Sequence, residues 1–146
     1  MKIYFAASIS GGRDDQGLYR QLIEFMKSLG HQVLTEHIGN PNLSKDGEHE
    51  LSAVEIRDRD IDWLTASDIV VAETTQPSLG VGYELGYAEK INKPVLILHR
   101  NHERHLSAMI SGTRHFADIN YYADLREAQQ ILRTKLKSES NCQKRL

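Results

Sequence analysis

Two carboxylates and three loop segments hold most of the chemical potential of this sequence. The densest run is Gln76 to Gly86 (QPSLGVGYELG). Its composition suits an anion-binding turn that enters a helix. Gly80 and Gly82 let a ligand approach the backbone, Ser78 adds a hydroxyl, and the amides of the helix start point outward. Glu84 follows, and its spacing predicts a place in the first helical turn, where the dipole favours the ionised carboxylate and keeps its pKa low. Such a glutamate either reacts with or orients a ligand's sugar, or it is a surface residue that steadies the helix. A dinucleotide fingerprint fits these glycines less well, because the spacing is Gly-x-Gly-x-x-x-Gly and the run follows the third strand-like segment rather than the first.

The second carboxylate stands in Glu55 to Leu64 (EIRDRDIDWL). At helical spacing Ile56, Asp60 and Trp63 share one face, so Asp60 lies on the apolar side while Asp58 and Asp62 look outward. Apolar surroundings and a converging Glu84 would raise its pKa and suit it to proton donation. The plainer alternative is an ion pair with Arg57 or Arg59 on a solvated face. The loop Ala7 to Arg13 (ASISGGR) joins hydroxyls, glycines and a cation, without the lysine of a P-loop. Ser8, Ile9, Ser10, Gly11 and Arg13 are its candidate contacts to a ligand phosphate. The competing reading is a turn whose Asp14 and Asp15 cap the next helix.

His99, His102 and His105 recur at every third residue beside Arg100 and Arg104. Metal pairs usually come at i,i+4 on a helix or with cysteine or carboxylate company, so this segment reads as a solvated cationic loop. Leu106 to Ile110 reads as a packed helical turn, with Ser107 available to a site. Tyr4 is an inward tyrosine on a central strand, and it needs a hydrogen-bond partner that a catalytic carboxylate could supply.

The elements that must position these groups follow from hydrophobic patterning. Buried strands are expected at Lys2–Ala7, Gln32–Glu36, Asp68–Glu73 and Pro94–His99, with a weaker fifth at His115–Asn120. Helices are expected at Asp15–Leu29, Gly47–Ala66, Val81–Ile91 and Asp124–Lys137. The alternation argues for an α/β fold with a flavodoxin-like, Rossmann-like five-stranded parallel sheet covered by helices on both faces. Open parallel sheets bind ligands beyond the carboxyl ends of their strands. That is where Ser8–Arg13, Glu36–Asn40 and Thr74–Gly82 fall.

Composition narrows the partners. The chain has 146 residues, 18 Lys+Arg against 20 Asp+Glu and one cysteine. One domain over residues 1–138 is expected, with Glu139–Leu146 as a disordered tail. The near-neutral charge argues against sequence-independent binding to a nucleic-acid polymer and leaves room for a small anion. The lone Cys142 suits a reducing cytosol, and neither a membrane span nor a signal peptide is read, so a soluble, cytoplasmic protein is expected.

Taken together, Tyr4 to Arg13, Leu34 to His37, Asp60 before Trp63-Leu64, Val70 to Gly86, and Leu106 to Ile110 with Gly112 resemble the 2′-deoxynucleoside 5′-monophosphate N-hydrolases. These are relatives of the nucleoside 2-deoxyribosyltransferases. The resemblance runs from about residue 2 to 136 and implies a homodimer that cleaves the bond between base and deoxyribose 5-phosphate without a cofactor or metal. It implies Glu84 as nucleophile, Asp60 as proton donor to the base, and Tyr4 as the residue that orients Glu84. Ser8, the amides of Ile9 and Gly11, Ser78 and Gly80 would hold the phosphate, with Ser107 supplied by the neighbouring subunit. His37, Ile56 and Met109 would line the base pocket. Base exchange, ribonucleotide (CMP-type) hydrolysis and a non-catalytic nucleotide sensor are the alternatives on the same fold.

Overall fold

The computed structural model describes residues 1–9, 15–39, 50–101 and 104–136. Ser10, Gly11, Arg13, His102 and the expected tail at 139–146 lie outside them. Five strands, β1 (Lys2–Ala6), β2 (Gln32–Val33), β3 (Ile69–Glu73), β4 (Val95–Arg100) and β5 (Ile119–Tyr122), form one parallel sheet in the order β2-β1-β3-β4-β5. This is the expected flavodoxin-like order. Five helices accompany the strands among the described residues: α1 (Gln16–Ser28), α2 (Ala53–Ala66), α3 (Leu79–Lys90), the short α4 (Ala108–Ser111) and α5 (Leu125–Lys135).

Strand alternation decides which side chains meet which helices. On β1, Ile3 and Phe5 join Tyr19, Leu22 and Met26 of α1 and Ala128 and Leu132 of α5 in one core. Tyr4 and Ala6 point the other way, into a second core with Leu64 of α2 and Val81, Leu85 and Ala88 of α3. Tyr4 is thereby delivered to the face that α2 and α3 cover. All these core residues are buried, and each large side chain contributes roughly 1.5–3 kcal/mol by leaving water.

Two expected strands change. β2 is only two residues long because Thr35 replaces the ladder with its side chain: its hydroxyl accepts the Phe5 N–H at 2.9 Å and donates to the Phe5 carbonyl at 2.6 Å. The chain then turns into a 3-10 helix at Glu36–Gly39. Gly39 packs so tightly on α1 that an added Cβ would lie 3.0 Å from the Arg20 Cα, which pins the turn carrying His37. β5 begins at Ile119 instead of His115, because Phe116 turns back through its N–H to the Thr113 carbonyl and buries in the second core.

α2 starts at Ala53, where the Ser52 hydroxyl accepts the Glu55 N–H at 3.1 Å. α1 ends at Ser28 with Leu29 as its cap, and Gly30 follows with a φ of +92°, a conformation natural to glycine just past a helix end. No helix among the described residues is long and apolar enough to cross a membrane.

Candidate active site

Tyr4, Glu84 and Asp60 arrive from β1, α3 and α2 on one face of the sheet. The Tyr4 hydroxyl, on a side chain only 1% exposed, donates a hydrogen bond to Glu84. Glu84 is not in the first turn of its helix. Ser78 caps α3 with its hydroxyl accepting the Val81 N–H at 3.3 Å, so the helix opens at Leu79 and Glu84 falls in the second turn. The expected low pKa is overturned as well. Burial first, then the negative charge of Asp60, push Glu84 up to about 8, while the bond from Tyr4 works in the other direction. A second-turn carboxylate facing the core gains little from the helix terminus and loses its water.

Asp60 is on the inward side of α2, with Asp58 and Asp62 exposed. Its partner is Arg59, whose Nε and Nη2 donate to the same carboxylate oxygen, Oδ1, at 3.0 and 2.8 Å. Arg57 turns outward to Asp58 at 3.2 Å and to the Tyr83 hydroxyl at 3.2 Å. Of the ion pairs considered for Asp60 the one with Arg59 forms, and it is only partly exposed rather than on a solvated face. Asp60 faces the other carboxylate and also carries an arginine partner.

Arg59 stacks on Trp63, one turn along, with its guanidinium carbon 4.7 Å from the ring centre. His37 closes this group: its Nε2 lies 3.5 Å from Arg59 Nη2 and its ring centre 5.7 Å from that of Trp63. Ile56, half-buried, sits one turn before Asp60 on α2.

The anion-side residues are placed more loosely. Ser8 is fully buried, and its hydroxyl has no hydrogen-bond partner among the described residues. A buried polar group of this kind normally meets a ligand, water or neighbouring chain. Ile9 follows it and packs partly against the first core. Gly80 and Gly82 lie inside α3 rather than in a loop, and a Cβ on Gly82 would meet nothing within 4 Å. Ser107 caps α4 by accepting the Met109 N–H at 3.2 Å, and Met109 is 82% exposed.

Sequence reading missed a brace that joins the start of α1, the entry to α3 and the end of β4. The Arg100 guanidinium binds both Asp15 oxygens at 3.0 and 3.1 Å, and Gln76 Nε2 reaches Asp15 at 3.3 Å. Asp15 stands at the start of α1 but makes no side-chain cap, as its carboxylate is spent on Arg100. Behind it, the buried Glu73 accepts the Thr75 N–H at 2.6 Å and the Tyr122 hydroxyl, and burial raises its pKa. His99 belongs to this interior rather than to a solvated loop: it is 1% exposed and bonds Thr74 Oγ1 at 2.9 Å and the Arg104 carbonyl at 2.7 Å. Only the strand's end, not its histidine spacing, could have signalled that.

Known proteins resemble this chain in sequence and in fold. A 5-hydroxymethyl-dUMP N-hydrolase of Tetraodon nigroviridis is 50% identical over 137 residues, covering 90% of this chain and 94% of the relative. A putative 2′-deoxynucleoside 5′-phosphate N-hydrolase 1 of Nematostella vectensis is 51% identical over 113 residues, 76% of either chain. The solved CMP N-glycosidase of Clostridium botulinum superposes with a TM-score of 0.67 at 20% identity, over 92% of this chain and 98% of that one, and so shares the fold. Residues 3–141 match the family model for nucleoside 2-deoxyribosyltransferase, and the chain belongs to that family.

Proposed function

We propose that this protein hydrolyses the N-glycosidic bond of 2′-deoxynucleoside 5′-monophosphates, releasing free base and 2-deoxyribose 5-phosphate. The observation that carries the reading is the coupled pair Glu84 and Asp60, with Tyr4 bonded to the former. The relatives' names add the substrate class, with 5-hydroxymethyl-dUMP as the first compound to try. Cleavage of this bond passes through an oxocarbenium-like state that one carboxylate traps while another serves the leaving group.

Glu84 is the nucleophile. Its raised pKa means that the free pair keeps one proton near neutrality, and the reactive arrangement places that proton on Asp60. The C1′–N bond then breaks with its electron pair going to the base, which takes the proton from Asp60, while a Glu84 oxygen bonds C1′. Water next attacks C1′, gives its proton to Asp60 and frees Glu84, with net retention at the anomeric carbon. A 2-deoxy sugar lacks the electron-withdrawing hydroxyl, so its cation forms readily and the chemistry asks for no metal.

Ser8, Ile9, Ser10, Gly11, Arg13, Ser78 and Gly80 hold the 5′-phosphate, a role supported by the orphaned Ser8 hydroxyl and the capped start of α3. His37, Ile56 and Met109 line the base pocket. The enzyme works as a homodimer in the cytoplasm, and Ser107 completes the partner's phosphate site. Exposed apolar side chains on α2, α3 and α4 support this: Val54, Leu79, Tyr83 and Met109 are 69%, 97%, 55% and 82% exposed.

The decisive experiment incubates purified protein with ribo- and deoxynucleoside monophosphates and their nucleosides, and measures released base by chromatography. Glu84→Gln is expected to lose at least ~10³-fold in kcat. Base release by that variant at the parental rate would remove Glu84 from the mechanism. Formation of a new nucleoside when a second base is added would redirect the reading to base exchange.

A further inference from the structure

Arg59 has no role in the mechanism above, yet it is held inside the group that handles the leaving base. Among the described residues three contacts hold it: the two-pronged bond to Asp60 Oδ1, the stack on Trp63 at 4.7 Å, and the approach to His37 at 3.5 Å. Its side chain is 24% exposed and that of Asp60 20%, so both are partly withdrawn from solvent without being sealed from it. Stacking on an indole orients the guanidinium plane and limits the rotamer freedom that an arginine usually loses on binding. The result is a preset cation next to the proposed proton donor.

A base leaving from C1′ carries the electron pair of the broken bond. Until the proton from Asp60 has fully transferred, negative charge accumulates on the ring nitrogens and carbonyl oxygens. A guanidinium supplies donors only and stays charged throughout, so it matches that developing anion and cannot compete with Asp60 as an acid. Fixed charge aimed at where charge develops is usually a large contribution to catalysis.

We infer that Arg59 is a catalytic residue that contacts the departing nucleobase and stabilises its negative charge during C1′–N cleavage. The inference rests on the hydrolase reading, and the two can fail separately. Bond changes are those already given: the electron pair goes to the base, the proton comes from Asp60, and Arg59 neither gains nor loses a proton. Because the stabilisation scales with charge on the base, poor leaving groups depend on Arg59 more than good ones.

The test is the rate of base release from 5-fluoro-dUMP, dUMP and dTMP, whose bases are progressively weaker acids, in the parent, Arg59→Gln and Arg59→Lys. Arg59→Gln is expected to lose about 10²–10³-fold in kcat on dTMP, the range seen on removing one oxyanion donor, and about tenfold or less on 5-fluoro-dUMP. The plot of log kcat against leaving-group pKa steepens. Arg59→Lys restores part of the slope by keeping the charge. Binding of 2-deoxyribose 5-phosphate, followed by calorimetry, stays near parental in both variants and reports that the fold survives.

Equal losses on all three substrates would mean that Arg59 does not act on the charge of the leaving base, and would overturn the inference while leaving the hydrolase intact. Unchanged rates would overturn it too. Absence of base release by the parent on every nucleotide overturns the hydrolase reading first, and the role of Arg59 with it.

Discussion

The guanidinium of Arg100 grips both carboxylate oxygens of Asp15, at 3.0 and 3.1 Å, and so joins residues 85 positions apart in the chain. One end is the edge of β4 and the other is the start of α1, directly after the Ala7 to Arg13 loop. Gln76 adds the entry to α3 through its own bond to Asp15. The pair therefore ties the start of α1 and the entry to α3 to the end of β4.

We predict that Arg100→Met and Asp15→Asn each destabilise the protein by about 1–3 kcal/mol, since each leaves a charged, partly buried partner behind. The same variants raise KM for a deoxynucleotide more than they lower kcat. In a double-mutant cycle followed by thermal denaturation, the combined variant is less destabilised than the sum of the two. Strict additivity would mean that the pair is not the brace described.

The raised pKa of Glu84 makes a prediction about stability. A carboxyl that keeps its proton up to about 8 when folded, against an unfolded value near 4.5, contributes nothing adverse below pH 4.5. Between those two values the unfolded chain is ionised and the folded one is not, so parental stability falls with rising pH by at most about 1.4 kcal/mol per unit for this one proton. Glu84→Gln removes that loss. Its stabilisation relative to the parent is expected to be near zero at pH 4, to grow toward pH 8 and to level off above it, read by chemical denaturation. A pH-independent difference would contradict the assigned shift.

Activity follows the same proton. The singly protonated Glu84 and Asp60 pair is the reactive form, so kcat/KM declines as pH rises through about 8. Tyr4→Phe takes away the hydrogen bond that holds the Glu84 pKa down, and the alkaline limb then moves to higher pH while kcat falls. An unmoved limb would separate Tyr4 from Glu84.

A shared phosphate site makes a different demand, because Ser107 must work in the neighbour. We expect the protein to sediment as a dimer. Mixing inactive Glu84→Gln with a Ser107→Ala variant weakened in phosphate binding should recover activity beyond either alone, in hybrid dimers carrying one complete site. Failure of hybrids to exceed the separate variants would place Ser107 outside the site.

Much of this architecture was legible in the amino-acid sequence because it depends on local periodicity. The apolar strands, the amphipathic α1 and the inward face of α2 that carries Asp60 are all decided by which side chains repeat at two or at 3.6 residues. The alternation of strands and helices pointed to a parallel sheet, and the strand order matches the flavodoxin-like arrangement expected for it. The motif Gln76 to Gly86 likewise pointed to Glu84 through residue types alone, though the expected helix start was two residues late, since Ser78 captures the Val81 amide and opens the helix at Leu79.

Long-range electrostatics needed the tertiary structure. A pKa depends on what surrounds a group in space, so burial and then the nearness of Asp60 reversed the value that helix position alone implied for Glu84, against the opposing hydrogen bond from Tyr4. The choice of Arg59 over Arg57 for Asp60 turned on side-chain direction, because one side of α2 faces Trp63 and His37 and the other faces solvent. Asp15 and Arg100 were each visible as a charge, but their pairing exists only because α1 begins where β4 ends, at the same end of the sheet.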